Sequence, residues 1–524
     1  MHPVLMHYLF QQGLENSHDI FSFLSPTTND FYDPFLMKDM KTAVNRIVEA
    51  IKKNEEILIF GDYDADGITA TALLFKCLKS FGAHVKYKVP TRREGYGLKV
   101  STVQKLPDKI ALIITVDNGT TCQNALTQAK KRGIDVIVTD HHEVSEGIPS
   151  CLAFINPKRC DNTYPYPYLS GAGVAFKLAH ALYLANNKNW DIHYQEYVEL
   201  AAIGIIADLV PLNGENRTIC KLALEKMNTI PLEVLKAFFT LLKINKVGSS
   251  TISNQIAPLL NSQGKLGDPN ISVNLLTSAH FHMDNLIEHI ELNKKRKLTT
   301  DLQYTLCEKN ILENKLFEEP VITIHGTYSK GSMGSLASKI SKKYRKPVVI
   351  VGRNGFGSGR SVCSSKFSLL NTLKRCKEHL IKFGGHHCSV GFYIEPSELK
   401  IKTLFADIQH AVKKEGSFSS VKWYFTEQSP IEFRKGIFDN LLLLEPFGKG
   451  FSQPIFLSPA LNIEEMKMFG ENSEHAMIIT DTNEKFYLYN KAPMIGNYKS
   501  QTRSLFYTST LNNENEFFVH AIQK

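Results

Sequence analysis

The chain has 524 residues, 43% of them hydrophobic and 22% charged, and its formal net charge is +9. These proportions are typical of folded globular proteins, and the length indicates about three or four domains, so a mainly disordered chain is excluded. The mild positive excess suits a polyanionic partner, although it is equally compatible with a basic protein that has no such partner.

The nine cysteines are scattered along the chain and include no C-x-x-C pair. This pattern argues against a disulfide framework or a zinc site built from cysteines, and it fits a reducing compartment. The N-terminus lacks the basic start and apolar stretch of a signal peptide, and no uncharged apolar run approaches membrane-spanning length. We therefore expect a cytoplasmic protein without a membrane segment.

The first half of the chain is predicted to be an α/β domain that follows an N-terminal extension. The extension covers residues 1–55 and ends in a helix around residues 41–53. Apolar strands and helices then alternate, which predicts a parallel sheet covered by helices on both faces. The predicted elements are strands over 57–60, 110–116 and 135–139, and helices over 69–80 and 122–131.

The second half is predicted to contain a helical connector, a second α/β domain and a β-rich end. A long exposed helix is expected within residues 275–315, followed near Val321 by a second α/β domain with a strand over 346–351 and a helix over 369–382. Short strands over 421–425, 454–456, 476–479 and 485–489 suggest a small β-barrel, for which the OB fold is a frequent solution. The predicted ranges are 1–55 for the extension, 56–235 for the catalytic domain, 236–318 for the connector, 319–412 for the second α/β domain and 413–524 for the barrel.

Three predicted strands each end in acidic residues or histidines. The carboxyl ends of neighbouring parallel strands meet at one edge of a sheet, where open α/β sheets bind ligands. Crowded carboxylates repel one another unless protons or cations neutralise them, and oxygen ligands with imidazole suit Mn²⁺ or Mg²⁺. Two such ions can activate a water for in-line attack on phosphorus, so the pattern predicts phosphoester or phosphoanhydride hydrolysis. The residues are Asp62, Asp64 and Asp66 after the first strand, Asp117 after the second, and Asp140, His141 and His142 after the third.

Each cluster by itself has a simpler explanation. The Asp-Asn-Gly sequence at 117–119 is common in turns. The loop that starts at Asp62 could be an EF-hand, but the required glutamate position falls on Leu73 inside a predicted helix. Asp208 follows an apolar stretch and is either an ordinary helix N-cap or a residue that a metal would neutralise. The combination of the clusters favours a metal centre.

In this order, the four segments resemble the motifs of the DHH phosphoesterase superfamily, and several others resemble its RecJ exonucleases. The resemblance covers most of the chain from about residue 56. The DHH motifs are Asp62-Tyr63-Asp64-Ala65-Asp66-Gly67, Val116-Asp117-Asn118-Gly119, Thr139-Asp140-His141-His142 and Gly204-Ile205-Ile206-Ala207-Asp208. The segments that resemble RecJ are Val210-Pro211-Leu212, residues 170–178 and Glu215-Asn216-Arg217. The segments that resemble a DHHA1 domain are Ser358-Gly359-Arg360-Ser361, Phe383-Gly384-Gly385-His386 and Gly391-Phe392. The start of the RecJ OB domain is resembled by Glu445-Pro446-Phe447-Gly448.

The resemblance implies a 5′-to-3′ exonuclease for single-stranded DNA, acting in repair and recombination with two Mn²⁺ or Mg²⁺ ions. One ion would be bound by Asp64 and Asp117 with Asp62 close by, and the other by Asp66, Asp117, His141 and Asp208. His142 would face the scissile phosphate, and Asp140 would orient the histidines. A helicase and a single-strand-binding protein are the implied partners, and we expect a monomer.

The resemblance also implies residues that contact nucleic acid. Either Arg92 or Arg93 would match an arginine that precedes Gly-Tyr-Gly in the family, although a plain surface turn is the alternative. In the second α/β domain the glycines would let the strand approach the backbone, and we expect Gly384-Gly385 to end a helix as well. The residues expected there are Ser358, Arg360, Ser361, Gly384, Gly385 and His386.

Several positions depart from the family pattern, and none of them is a predicted metal ligand. A Pro-Arg-x-Asn-Ala-x-Gly-Arg stretch is usual, and here Leu259 and Lys265 replace the two arginines. Lysine does not make the bidentate phosphate contact of arginine, so we expect altered recognition of the DNA end. The other departures are Tyr328-Ser329 for Trp-His, Ser389-Val390 for two alanines and Gly450-Phe451-Ser452 for Gly-Asn-Pro.

Other functions remain as alternatives. A DHH phosphodiesterase for short oligonucleotides or cyclic dinucleotides would need only the two α/β domains, so the β-rich tail and the Val-Pro-Leu signature favour the exonuclease. A non-catalytic DNA-binding scaffold would have lost metal ligands, and none is lost here. A pyrophosphatase is disfavoured by the DHHA1-like motif and the tail.

Overall fold

The computed structural model describes residues 1–144, 147–361, 367–415, 425–427, 433–470, 473, 475–489, 498–511 and 516–523. The chain forms two compact units. The first consists of Met1–Leu292, Gln428–Pro454 and Thr508–Asn515, and the second of Asn293–Glu427, Ile455–Tyr507 and Glu516–Lys524.

The first unit is built on a five-stranded parallel sheet, as the alternating pattern predicts. The strand order is β2-β1-β3-β4-β5, and Phe60, Thr115 and Val138 lie level with one another across β1, β3 and β4. The three strands that carry the acidic motifs are therefore neighbours and end at the same edge. The bounds are β1 Glu56–Phe60, β2 Val85–Lys88, β3 Ile110–Val116, β4 Asp135–Thr139 and β5 Ala153–Ile155.

Helices cover both faces of this sheet, so its strands are buried on both sides. Ile57 and Ile59 join one core cluster, whereas Leu58 and Phe60 join the other. The helices are α1 Pro3–Gln11, α2 Ser17–Leu24, α3 Met40–Lys52, α4 Ala65–Ser80, α5 Val100–Gln104, α6 Gln123–Lys131, α7 Gly171–Ala185, α8 Trp190–His193, α9 Val198–Ala207, α10 Gly214–Thr229, α11 Glu233–Leu241, α12 Ser249–Thr251, α13 Ala257–Leu266 and α14 Pro269–Thr277.

Helix α4 begins four residues before the predicted start at Thr69, at Ala65. The cause is Asp64, whose Oδ1 accepts hydrogen bonds from the backbone N–H groups of Asp66 and Gly67 at 3.0 and 3.1 Å. An N-terminal cap of this kind satisfies donors that have no partner within the helix. The predicted start was therefore too late, and the acidic motif itself forms the first turn.

A long helix, α15, spans Met283–Glu313, and its residues up to Leu292 belong to the first unit while the rest belong to the second. The predicted connector helix within residues 275–315 is thus confirmed. No helix among the described residues is long and apolar enough to cross a membrane. Eight of the cysteines lie in the described part of the chain and none of these forms a disulfide bond, whereas Cys363 lies outside it.

The second unit contains a mixed five-stranded sheet in the order β6-β7-β8-β10-β9. Helices cover both of its faces, since Val348 and Ile350 join one core cluster and Val349 and Val351 join another. The strands are β6 Ile322–Gly326, β7 Val348–Gly352, β8 Phe356–Arg360, β9 Leu380–His386 and β10 Ser389–Ile394. The helices are α16 Met333–Tyr344, α17 Leu369–Arg375 and α18 Glu398–Glu415.

The predicted helix over 369–382 was too long. It ends at Arg375, and Leu380–His386 is a strand that pairs with β10, with Phe383 opposite Phe392. This antiparallel pairing with a later segment decides the conformation, and short-range propensity does not contain it. Gly384 and Gly385 lie inside that strand, so the expectation that they also end a helix is wrong.

The remaining strands form a small β-barrel, as predicted. Residues 502 and 503 pair with β13 at one end of the sheet, and residues 506 and 507 pair with β12 near the other end. This continuous segment therefore closes the sheet on itself. Predicted strands 454–456, 476–479 and 485–489 correspond to β12, β14 and β15, whereas residues 421–424 lie outside the described part. The strands are β11 Phe425–Glu427, β12 Ile455–Leu457, β13 Leu461–Phe469, β14 His475–Thr480, β15 Lys485–Leu488, β16 Thr502–Arg503, β17 Leu505–Ser509 and β18 Glu516–Ile522, and a further helix, α19, spans Phe438–Leu443.

Candidate metal centre

The predicted ligands converge at the edge where β1, β3 and β4 end. His141 lies at the centre, with its Nε2 atom 3.0 Å from Asp117 Oδ1, 3.7 Å from Asp208 Oδ2 and 3.8 Å from Asp66 Oδ2. Three overlapping groups each have ligand atoms within 4.8 Å of one another. These groups are Asp66, His141 and Asp208; Asp62, Asp64 and Asp117; and Asp117, His141 and His142.

Asp208 reaches this centre from the C-terminal end of α9 and is the residue that follows the helix. The alternative that Asp208 is a helix N-cap is therefore wrong. The four elements that meet here are separated by long stretches of sequence, and the parallel sheet places their ends together.

Crowding of the carboxylates changes their protonation. Burial, and next the charge of Asp64, raises the pKa of Asp66 to about 7. Burial and neighbouring carboxylates also raise the pKa values of Asp62, Asp117 and Asp208 well above the usual range. Without cations the cluster therefore retains protons near neutral pH, and divalent cations would release them.

Asp66 is held by the start of α7. Its carboxylate accepts hydrogen bonds from the hydroxyl of Ser170 at 2.9 Å and from the backbone N–H groups of Gly171 and Ala172 at 2.7 and 2.9 Å. Unpaired N–H groups at a helix N-terminus favour a negative charge. A Cβ atom at Gly204 would lie 2.4 Å from Asp66 Oδ1, so only glycine at that position leaves room for the carboxylate.

The carboxylate of Asp140 contacts both histidines. Its Oδ2 accepts hydrogen bonds from the backbone and hydroxyl of Thr120 at 3.0 and 2.6 Å. Its Oδ1 accepts from the backbone of His141 at 2.8 Å and lies 2.7 Å from Nδ1 of His142. Burial opposes the charge of Asp140, but His142 outweighs it and holds the pKa of Asp140 below its usual value.

Asp117 occupies a turn that only a few residue types accept. Its φ is 61°, in the left-handed region, where aspartate and asparagine are enriched. Asn118 fixes this turn, because its side-chain amide donates to the carbonyls of Phe60 and Val116 at 3.1 and 2.9 Å. The ordinary turn role of the Asp-Asn-Gly sequence is therefore real, and it coexists with the position of Asp117 in the cluster.

The residues present fit divalent cations. Among the described residues, the buried Oδ1 atom of Asp62 has no hydrogen-bond partner. Oδ1 of Asp117 is also buried, and its 3.0 Å approach to His141 lacks hydrogen-bond geometry. Buried acceptors without donors are costly, and a cation is the partner that a carboxylate oxygen lacks here. Carboxylate oxygens with imidazole nitrogen suit Mn²⁺ and Mg²⁺.

Four supporting residues were not assigned a role from the sequence. Ser170 and Thr120 hold carboxylates, and Tyr96 donates to the carbonyl of Asp117 at 3.3 Å and lies 3.3 Å from Nδ1 of His142. Asn261 accepts the N–H of Ala65 at 2.9 Å and so supports the first acidic loop. Ser170, Tyr96 and Asn261 lie inside segments that resemble the family, which was the signal available for them.

The two candidate arginines differ in placement. The guanidinium of Arg92 lies over the ring of Tyr63, 5.8 Å from its centroid, whereas Arg93 is exposed. Tyr63 lies between Asp62 and Asp64, so Arg92 is the arginine beside the acidic loop. Leu259 is only 2% exposed and joins the hydrophobic core, while Lys265 is half-buried near the end of α13.

The residues of the second α/β domain lie on adjacent strands of its sheet. Gly391 on β10 lies opposite Ser358 on β8 and Gly384 on β9. A Cβ atom at Gly384 or Gly391 would meet no atom within 4 Å, so the backbone is open there. Arg360 donates to the carbonyl of Gly359 at 2.7 Å, and the backbone of Ser361 donates to Cys388 at 2.9 Å. The side chain of His386 lies outside the described part of the chain.

Comparison with known proteins gives the class of this architecture. Residues 56–205 match the DHH family, N-terminal domain, and residues 427–514 match the RecJ OB domain. The parallel sheet and the carboxylate cluster at its edge are therefore those of a DHH-family domain.

Curated relatives extend the similarity over most of the chain. The single-stranded-DNA-specific exonuclease RecJ of Bacillus subtilis is 32% identical over 502 residues, which is 93% of this chain and 62% of that protein. The chain thus spans less than two thirds of the length of that relative. RecJ of Salmonella typhimurium is 31% identical over 387 residues, 68% of this chain and 67% of that protein, and RecJ of Dickeya dadantii is 29% identical over 506 residues, 91% of this chain and 87% of that protein.

Solved structures agree with this assignment. RecJ from Thermus thermophilus in complex with Mn²⁺ matches with a TM-score of 0.82 at 24% identity, over 98% of this chain and 75% of that chain. An exonuclease RecJ bound to manganese matches with a TM-score of 0.61 at 29% identity, over 72% of this chain and 95% of that chain. The chain belongs to the RecJ family, and the resemblance found in its sequence is confirmed.

Proposed function

We propose that this chain hydrolyses phosphodiester bonds of single-stranded DNA from the 5′ end, using two divalent cations, Mn²⁺ or Mg²⁺. The observation that carries the proposal is the convergence of Asp62, Asp64, Asp66, Asp117, Asp208 and His141 at one sheet edge. Relatives named as single-stranded-DNA-specific exonucleases support the substrate, and related structures that contain Mn²⁺ and Mg²⁺ support the cofactor.

The residues divide into two ligand groups around Asp117. Asp64 and Asp117, with Asp62 close by, would hold one cation, and Asp66, Asp117, His141 and Asp208 would hold the other. The two cations, when bound, lower the pKa of a water and stabilise the charge that develops on phosphorus. Asp117 would bridge the two positions, since it shares one ligand-atom group with Asp62 and Asp64 and its Oδ1 lies 3.0 Å from Nε2 of His141.

His142 is proposed to contact the scissile phosphate. Its side chain is 30% exposed, whereas that of His141 is 2% exposed, so His142 is the histidine that an incoming substrate can reach. Asp140 and Tyr96 engage the Nδ1 side of its ring, so the Nε2 side would meet the phosphate. Asp140 would thereby fix the orientation of His142 before substrate arrives.

Positively charged side chains, and positions where the backbone is open, would hold the DNA strand. Arg92, beside the acidic loop, is proposed to contact the terminal phosphates, with Arg93 as the exposed neighbour. Ser358, Arg360, Ser361, Gly384, Gly385 and His386 are proposed to contact the nucleic acid from the second α/β domain, where the open backbone at Gly384 permits close approach. Electrostatic contacts of this kind make binding dependent on salt.

Membership of the RecJ family supports further proposals about cellular context. We propose a monomeric, cytoplasmic enzyme of DNA repair and recombination that works beside a helicase and a single-strand-binding protein. The proposed domain ranges are those predicted from the sequence, with the catalytic domain at 56–235 and the barrel at 413–524.

The decisive experiment is digestion of end-labelled single-stranded DNA with Mn²⁺, beside duplex DNA and strands blocked at the 5′ or 3′ end. Release of mononucleotides that stops when the 5′ end is blocked, and that requires Mn²⁺, is the expected result. His141→Ala is the inactive control. Turnover of dinucleotides without digestion of long strands would replace the proposal with the short-substrate alternative. DNA binding without any hydrolysis would favour the scaffold alternative.

A further inference from the structure

The Asp208 carboxylate is held differently from three other carboxylates of the site. Asp64, Asp66 and Asp140 each accept hydrogen bonds from protein donors. No hydrogen bond from the described residues reaches the carboxylate of Asp208, and its Oδ2 lies 3.7 Å from Nε2 of His141. The position of Asp208 therefore depends on its backbone, which means on the end of α9 and on residues 209–213, termed the Asp208 loop.

The Asp208 loop is fixed by contacts on both sides. The hydroxyl of Tyr166 and the side-chain amide of Asn216 donate to the carbonyl of Pro211 at 3.1 and 3.0 Å. On the other side, the backbone N–H of Leu212 donates to the carbonyl of Lys449 at 2.7 Å. This last bond comes from residues 444–451, termed the clamp segment, which lie more than two hundred residues further along the chain.

Arg217 anchors the clamp segment. Its guanidinium donates to three consecutive carbonyls, those of Leu444 at 2.8 Å, Glu445 at 3.2 Å and Pro446 at 3.1 Å. The hydroxyl of Ser249 adds a bond to the carbonyl of Phe447 at 2.7 Å. Arginine presents several donors in a rigid planar fork, which suits a row of carbonyls.

Phe451 joins the clamp segment to the N-terminal helices. It is 2% exposed, and its ring lies 4.7 Å from that of Phe23 and 5.7 Å from that of Tyr8. The guanidinium of Arg217 lies against both the Phe23 and Phe451 rings, 3.5 and 5.0 Å from their centroids. The residue at 451 departs from the family pattern, and in this chain it packs against both Arg217 and the N-terminal helices.

We propose that Arg217 and Phe451 are positioning residues for the Asp208 carboxylate. Together they hold the clamp segment against the Asp208 loop, so the N-terminal helices and the segment before the barrel set the place of one cation ligand. The proposal rests on the proposed function, since it takes Asp208 as a ligand of the second cation. It assigns an effect on metal affinity to residues that do not belong to the cluster.

The test measures Mn²⁺ binding directly, from the electron paramagnetic resonance signal of the free ion during titration of the full-length protein. Phe451→Ala and Arg217→Lys are expected to weaken Mn²⁺ binding about 10-fold, as losses of supporting contacts around metal ligands commonly do. Asp208→Asn is the positive control and weakens binding at least as much. Trp190→Leu is the matched control, because Trp190 is a buried aromatic residue of the same unit that packs on Tyr197 before the other end of α9.

A second readout separates positioning from loss of folded protein. With Phe451→Ala, excess Mn²⁺ is expected to restore hydrolysis of single-stranded DNA, because affinity has changed while the cluster is intact. A drop in activity that excess Mn²⁺ does not restore would overturn the proposal, as would equal weakening of Mn²⁺ binding in Trp190→Leu. If Asp208→Asn weakens Mn²⁺ binding while Phe451→Ala and Arg217→Lys leave it unchanged, the positioning proposal is overturned and the proposed function is not. No Mn²⁺ binding by the wild-type protein would overturn the proposed function with it.

Discussion

Nδ1 of His142 lies 2.7 Å from Oδ1 of Asp140, and the backbone N–H of His141 donates to the same oxygen at 2.8 Å. One carboxylate therefore orients both adjacent histidines. Asp140→Asn removes the charge opposite His142 and places an amide donor toward either the two histidines or Thr120, so we expect kcat to fall about 10- to 100-fold with little change in KM. Steady-state digestion of single-stranded DNA at saturating Mn²⁺ measures both constants. Asp135→Asn, at the other end of β4, is the matched control, and wild-type kcat in Asp140→Asn would contradict the assigned role.

Repulsion within the cluster predicts that Asp117→Asn stabilises the metal-free protein. Asn accepts the left-handed backbone at φ 61° and removes an ionisable group whose charged form is opposed by burial and by four neighbouring carboxylates. We expect a gain of about 1 kcal/mol, or roughly 2–4 °C in Tm, in EDTA, and loss of the Tm increase that Mn²⁺ gives the wild type. Thermal unfolding followed by circular dichroism measures both effects.

Asp39→Asn is the control for this change. Asp39 has a φ of 65° but forms an ion pair with Arg159 at 2.7 Å, so its neutralisation should lower Tm and leave the Mn²⁺ effect unchanged. A lower Tm for metal-free Asp117→Asn would show that repulsion does not dominate in the cluster.

Close packing behind Asp66 predicts that Gly204→Ala is inactivating. The new Cβ atom would lie 2.4 Å from both Asp66 Oδ1 and the Cβ of Ala172, so the carboxylate must move. A displacement of about 1 Å near reacting groups is sufficient for a loss of about 100-fold in kcat. Gly173→Ala is the matched control, because the nearest atoms to its Cβ would be side-chain atoms of Leu169 at 3.2 Å or more. Equal activities of the two variants would refute this account of Gly204.

The different placements of Arg92 and Arg93 predict different effects on substrate binding. In the inactive His141→Ala background, Arg92→Ala should weaken binding of a 5′-phosphorylated single strand about 10-fold and reduce the salt-dependence slope by about one. Arg93→Ala should have the smaller effect, since Arg93 is exposed and Arg92 lies over Tyr63 in the acidic loop. Fluorescence anisotropy at several salt concentrations measures affinity and slope. The reverse order of effects would assign the contact to Arg93.

A buried histidine outside the metal centre predicts how stability depends on pH. Burial, and next the charge of Lys177, lowers the pKa of His180 to about 2, while an unfolded histidine titrates near about 6.5. The unfolded state therefore binds more protons below about pH 6.5, so this contribution to stability is complete above that pH and falls as pH decreases toward 2. His180→Gln removes it.

The measurement is chemical unfolding of wild type and His180→Gln at pH 7.5 and at pH 5. Between these values the wild type should lose about 2 kcal/mol more than the variant, since each pH unit below about 6.5 is worth about 1.4 kcal/mol per proton. Equal losses in the two proteins would mean that His180 is protonated in the folded state.

Features of the fold and the site were predictable where the interacting residues lie close together in the sequence. The strands that carry Asp62, Asp117 and Asp140 were predicted closely because a buried parallel strand is a short apolar run and its acidic turn is adjacent in the chain. The four-motif pattern also identified the family. By contrast, the start of α4 required knowledge that the Asp64 carboxylate turns back to cap it, and the strand at Leu380–His386 exists because of its pairing with β10.

The chemistry of the site follows from the order of the residues, because that order specifies which donor atoms follow which strands. How those atoms are supported follows from the folded arrangement. The helix N-terminus at Asp66, the burial of Leu259, the placement of Arg92 over Tyr63 and the link from Phe451 through Arg217 to the Asp208 loop all depend on contacts between distant segments. Such contacts leave no periodic or local signal, since packing against a remote partner sets them.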